Sequence, residues 1–202
     1  MPARLLSLIA PSLCGICGRP TDAESPACVA CVDAIRQGPS QPFLVPGADA
    51  AWAAAPYEDT PRRLIAALKF GKRFALARVA AEAIASAIPG DLSLGPIVPV
   101  PPDPLRHRWR GFDPAGSIAA ELARRLEITL SHCLVRSHSR RQVGRSRTAR
   151  LKGPSVRAIG KAPPDVTLLD DVATTGATLA ACASALRAAG AERVLAVAFA
   201  RA

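Results

Sequence analysis

From residue 50 onward the chain alternates short apolar runs with segments of helical periodicity. "AAWAAAPY" (50–57) fits a strand, and "TPRRLIAALKF" (60–70) predicts a helix. There Thr60 serves as cap and Pro61 as first helical residue, with Leu64, Ile65 and Leu68 on one face. A second helical pattern spans about 74–88 and stops at Pro89-Gly90, and "GPIVPVPP" (95–102) reads as a short apolar strand ended by prolines. Residues 114–127 predict a helix and 129–135 a strand. The last unit is strand 166–170, helix 177–189 and strand 193–199, with Gly190 closing the helix. Strands alternating with helices imply an α/β fold with a mostly parallel sheet, whose ligands sit beyond the carboxyl ends of the strands.

The first fifty residues follow neither rhythm. "QGPSQPFLVPGADA" is rich in Pro and Gly and reads as a connection, which divides the chain into residues 1–36, a linker 37–49 and a main domain 50–202. "MPARLLSLIAPSLC" carries an apolar run too short for the core of a secretory signal, and residues 4–10 are expected as a short packing helix. No apolar stretch reaches the roughly 20 residues of a membrane span, so a cytoplasmic location is expected.

Within the first unit, "CGICGRPTDAESPACVAC" repeats a C-x-x-C pair: Cys14 with Cys17, and Cys28 with Cys31. Each pair can present two thiolates to one ion, and the loop between them is long enough to fold the second pair onto the first. Disulfides or redox dithiols are the other use of such pairs, but the doubled motif in a cytosolic setting favours a structural Zn²⁺ held by four sulfurs. Such a closed site leaves no open position for chemistry. Cys133 and Cys182 lie in apolar surroundings and are expected as small core residues.

The stretch with the clearest chemistry is "VTLLDDVATTGATL" (166–179), where an apolar strand meets two adjacent carboxylates. Gly176 permits a sharp turn, and backbone N–H groups from Ala173, Thr174, Thr175, Gly176, Ala177 and Thr178 can converge on an anion where the next helix begins. The threonine hydroxyls add neutral donors. Asp170 and Asp171 repel a phosphate, so they must face another part of the ligand. Ionised carboxylates only accept hydrogen bonds, and a vicinal diol donates two. The loop therefore reads as a grip on a ribose 5-phosphate. It is not a Walker loop, since the closing Gly-Lys-Ser/Thr is missing.

Charge adds a second theme. Lys and Arg number 26 against 16 Asp and Glu, a formal net charge of +10, which points to a polyanionic or phosphorylated partner. Residues 136–157, "RSHSRRQVGRSRTARLKGPSVR", hold eight Lys or Arg and no acidic residue. That is an electrostatic footprint for a nucleic-acid backbone or a diphosphate, with Arg145, Arg147 and Arg150 as candidate contacts. The segment has no aromatic residue and so no platform for stacking bases. His132 and His138 have no matching ligand cluster, and neither a Ser-His-Asp set nor a Cys-His pair is recognisable.

"LLDDVATTGATL" is similar to the phosphoribosyl pyrophosphate (PRPP) motif of type I phosphoribosyltransferases. From Cys14 to Arg201 the chain resembles the ComF family, phosphoribosyltransferase-like proteins with an N-terminal zinc ribbon. The resemblance rests on the four cysteines, "LIAALKFG" (64–71), "IVPVPPDPLRHRWRGFD" (97–113), "RRQVGRSRTARLKG" (140–153) and the PRPP loop, in the family's order. It implies a phosphoribosyltransferase-type sheet flanked by helices. Asp170 and Asp171 would hold the ribose hydroxyls and residues 173–178 the 5-phosphate. "VPVPP" would stand at the pyrophosphate loop, with Lys69, Arg108 and Arg110 as diphosphate partners. Residues 136–157 would form a hood over the site. The family association implies a role in DNA uptake or handling, with single-stranded DNA and a protein of the uptake machinery as partners. The alternative is an active phosphoribosyltransferase that uses Mg²⁺ and releases pyrophosphate as a nitrogen base attacks C1 of PRPP. The chain departs from the family at Asp113-Pro114, where Asn-Gln is usual, and at Gly153, where Asn is usual.

Overall fold

The computed structural model describes residues 12–22, 24–90, 92–136 and 155–202. The helix expected at 4–10 lies outside them, as does most of the basic segment. In chain order the elements are α1 (Val29–Arg36), β1 (Gln41–Pro42), β2 (Ala50–Pro56), α2 (Asp59–Phe70), α3 (Leu76–Ala87) and β3 (Ile97–Pro99). There follow α4 (Pro104–Arg110), α5 (Pro114–Leu126), β4 (Leu134–Arg136), β5 (Val156–Ala158), β6 (Asp165–Ala173), α6 (Ala177–Ala188) and β7 (Arg193–Arg201).

A sheet in the order β1-β2-β7-β6-β3 forms the centre, parallel throughout except for the antiparallel edge strand β1. The middle strand β7, "RVLAVAFAR", is buried along Val194–Ala200, as a strand covered on both faces must be. Its side chains alternate. Leu195, Val197 and Phe199 enter a core with Leu64, Leu68, Leu76, Ile84, Ile118 and Leu122 of α2, α3 and α5. Val194, Ala196 and Ala198 enter the opposite core with Leu179, Cys182 and Leu186 of α6. The result is a mixed α/β architecture, a mostly parallel sheet with helices on both faces. The described helices include none long and apolar enough to cross a membrane.

Several boundaries differ from the sequence expectation for physical reasons. Helix α2 starts at Asp59 with Glu58 as its cap position, so Thr60 and Pro61 fall inside the first turn; Leu64, Ile65 and Leu68 are buried as expected. The strand expected at 129–135 is split. Leu130 makes a single parallel bridge to Ile97, and the chain then leaves the sheet to pair β4 with β5 in a small antiparallel ribbon. The linker 37–49 contributes the edge strand β1 and buries Phe43 and Val45. Its end is fastened by Asp49, whose carboxylate accepts from Val194 N–H at 2.7 Å and from Arg187 at 2.6 Å. Those donors, the backbone one foremost, hold the Asp49 carboxyl below its ordinary range.

Helix α4 escaped the sequence reading because it has no apolar inner face: none of its residues is buried. Its end signals were nonetheless present. Asp103 accepts from the N–H groups of Leu105 and Arg106 at 3.1 Å each, Pro104 opens the helix, and Gly111 closes it at φ 65°.

Candidate functional site

Strand β6 runs three residues beyond the expected end at 170, so both aspartates sit within the strand. Neighbouring strand residues face opposite sides of a sheet. Asp171 reaches across to α2, where Lys69 Nζ stands 2.8 Å from its Oδ2. Asp170 turns to the other face, near Arg136 of β4 and Cys182 of α6. The two are linked by the Asp171 N–H, which donates to Asp170 Oδ1 at 2.8 Å. Burial, reinforced by the charge of Asp171, pushes the Asp170 carboxyl up to about 7. Burial, with the Asp170 charge added, pushes the Cys182 thiol up to about 12 and leaves it inert.

Lys69, Arg136, Asp170 and Asp171 line a cleft of about 340 Å³ at the carboxyl ends of β2, β3 and β6, where open α/β sheets bind ligands. One wall is Val100–Asp103, leaving β3; another is Tyr57, leaving β2. Arg106, His107 and Arg110 of α4 reach in from above, with Asp113 at the start of α5. Arg136 closes the far side: its Nε donates to Pro101 O at 2.9 Å, and its Nη1 lies 3.8 Å from Asp103. Four carboxylates, Asp103, Asp113, Asp170 and Asp171, thus share one cleft with a set of fixed cations.

The floor beyond β6 is the turn 174–176. Gly176 adopts φ 74°, in the left-handed region that favours glycine, and α6 begins at Ala177. Thr174 and Thr178 line the cleft; Ala173 is buried, and Ala177 N–H donates to Thr175 Oγ1 at 3.4 Å. A helix of twelve residues therefore directs its N-terminus at the cleft floor. Among the diphosphate candidates, Lys69 and Arg110 line the cleft, whereas Arg108 stands exposed on α4 outside it. Arg145, Arg147 and Arg150 lie outside the described residues.

Four cleft residues escaped the sequence reading as individual contacts: Arg106, His107, Asp113 and Arg136. Asp113 had been visible only as a departure from the family pattern. Burial raises its carboxyl, while the Gly116 N–H, His107 and His132 pull it down and Asp171 adds to the rise. Its position needs Gly116, because a Cβ there would lie 2.5 Å from Asp113 Oδ2.

The second site is the cysteine cluster. The Sγ atoms of Cys14, Cys17, Cys28 and Cys31 all lie within 4.8 Å of one another, with Cys17 and Cys28 at 3.7 Å. Four sulfurs bound tetrahedrally at 2.3 Å from one ion stand about 3.8 Å apart, so the cluster is positioned to bind a metal. Its turns are built for that purpose: Gly18 N–H donates to Cys14 O, Ile16 N–H donates to Cys14 Sγ, and Cys28 sits at the N-terminus of α1. Burial opposes the Cys14 thiolate, but N–H donors from Cys17, Cys28 and Ile16 outweigh it and bring the group down to about 6. Burial raises the Cys31 thiol, and its sulfur neighbours raise it further. Four thiolates so close need a cation to ionise together.

Set against models of known protein families the chain finds no match, and no characterised protein matches it.

Proposed function

We propose that the cleft binds PRPP or a closely related ribose 5-phosphate, in a ComF-type protein of phosphoribosyltransferase-like fold that handles DNA. One observation carries the reading: two adjacent aspartates near the carboxyl end of the parallel strand β6 line the cleft, ahead of a turn with a left-handed glycine and a helix N-terminus. In this reading Asp170 and Asp171 accept the ribose hydroxyls, and the turn 174–176 with the first N–H groups of α6 holds the 5-phosphate. The diphosphate meets Lys69, Arg106, Arg110 and Arg136. Asp170 and Asp171 also supply hard oxygen ligands that, with diphosphate oxygens, suit Mg²⁺. The cysteine cluster holds one Zn²⁺ in a structural role.

The DNA-handling part is supported by the +10 net charge. The alternative, transfer of the phosphoribosyl group to a nitrogen base, is supported by a carboxyl at about 7 in the cleft, since Asp170 could take the proton that the attacking nitrogen sheds. Calorimetry of PRPP binding with Mg²⁺ tests the first statement. Asp170→Asn with Asp171→Asn should weaken binding at least tenfold; equal affinity for both proteins refutes the assignment. A screen of bases for pyrophosphate release decides between ligand binding alone and turnover.

A further inference from the structure

The chain has only eight aromatic residues, and three of them stand half or more exposed at one edge: Phe70 at 62%, Phe74 at 50% and Trp109 at 76%. A chain so poor in aromatics that leaves three of its largest in water has a use for them there. The arrangement is ordered. Phe70 meets Trp109 edge to face at 6.4 Å, Phe74 packs on Phe112 at 4.5 Å, and the Arg110 guanidinium covers one face of Phe70 at 5.0 Å. Leu105 and Trp109, four residues apart on α4, share its outward face, and Leu105 is 79% exposed. Segments 69–75 and 104–112, which carry these rings, hold Lys69, Lys72, Arg73, Arg106, Arg108 and Arg110 and no Asp or Glu.

We propose that this edge is a stacking surface for single-stranded nucleic acid, with a base laid on Trp109 and the backbone drawn along α4 by Arg108 and Lys72. Exposed rings beside exposed cations, here Lys72, Arg73 and Arg108, are what sequence-tolerant single-strand binding uses: bases stack, phosphates meet charge. The excess of positive charge on the two segments argues against an apolar protein partner and for a polyanion. Phe70 holds Trp109 from its edge and Arg110 occupies Phe70's face, so Trp109 is the ring left to receive a base. The surface lies on the outer side of α4, whose inner side faces the cleft. It gives the nucleic-acid part of the proposed function a place, and it stands whether or not the cleft binds PRPP.

Trp52→Phe leaves Trp109 as the sole tryptophan, and Trp52 Nε1 is a buried donor without a partner, so that background should fold. Titrating it with oligo-dT should quench Trp109 emission, whereas an abasic oligomer of equal charge should bind without quenching. Trp109→Ala should weaken oligo-dT binding about tenfold, with Trp109→Phe largely restoring it. Stacking releases no counterion, so the salt slope should stay unchanged in Trp109→Ala. Lys72→Gln with Arg108→Gln should instead flatten it by about 0.7 per lost contact. Lys72, Arg108 and Trp109 are exposed, and an unchanged melting temperature checks the fold. Unaltered oligo-dT affinity in Trp109→Ala overturns the proposal. So does a concentration-dependent dimer that Trp109→Ala dissolves, which assigns the edge to a second copy of the chain. PRPP affinity is read separately and, whatever its value, leaves this result standing.

Discussion

Lys69 Nζ and Asp171 Oδ2 lie 2.8 Å apart, joining the last turn of α2 to the carboxyl end of β6 across the mouth of the cleft. Their side chains are only 20% and 12% exposed, so each charge depends on the other for its solvation. Lys69→Met strands a carboxylate and should cost about 3 kcal/mol in urea unfolding at neutral pH. Asp171→Asn added to it should recover much of that loss, since the double variant removes both charges. A Lys69→Met protein as stable as wild type would show the pair to be dispensable.

Asp170 is strained electrostatically in the other direction. Its carboxyl sits at about 7 in the folded chain, above the ordinary carboxylate value. The folded state therefore binds more protons than the unfolded state between roughly pH 4 and 7, and stability falls as pH rises through that window. Asp170→Asn removes the penalty. It should raise the melting temperature at pH 8 and make little difference near pH 4, while ligand affinity falls. A variant destabilised at pH 8 would contradict both the burial and the sign.

The same charge couples to the ligand. A diol or Mg²⁺ bound at Asp170 favours the ionised form, so binding should release a proton near neutrality and tighten as pH rises to about 8. Calorimetry of Mg²⁺-PRPP binding in buffers of different ionisation enthalpy measures the release. A pH-independent affinity without proton release would remove Asp170 from the ligand.

What could be read from the sequence was local. The strand–turn–helix at 166–189 has its chemistry in consecutive residues, so Asp170, Asp171 and the turn were visible without coordinates. The cysteine cluster was visible because its ligand spacing is itself the geometry. Arg136 and Asp113 were not, because they reach the cleft from distant segments and touch it only once the sheet is assembled. The lack of an aromatic residue was read of the basic segment alone and says nothing of rings elsewhere in the chain. Phe70 and Trp109 lie 39 positions apart, at the end of α2 and on α4, and their rings meet only in the folded chain.

Elemental analysis should give one zinc per chain. Cys14, Cys31 and Ile35 share a core with Leu64, Leu76 and Ile84, so the metal supports more than its own loop. Chelation should lower the melting temperature of the whole chain as well as free four thiols to reagent. Protein without metal, whose cysteines titrate as free before chelation, would exclude the site.

The final prediction separates the basic segment's two uses. If Arg145, Arg147 and Arg150 meet a nucleic-acid backbone, each contact displaces condensed counterion, and affinity for single strands falls linearly on a log–log salt plot. Changing all three to Ala should flatten the slope by roughly two, at about 0.7 per contact. If they close over a diphosphate instead, the triple variant should lose PRPP affinity and any pyrophosphate release while its salt slope stays as steep as wild type. The stacking surface supplies an internal standard, because Trp109→Ala should lower affinity without moving that slope. An unchanged slope in the arginine variant, with PRPP binding lost, would assign the segment to the cleft.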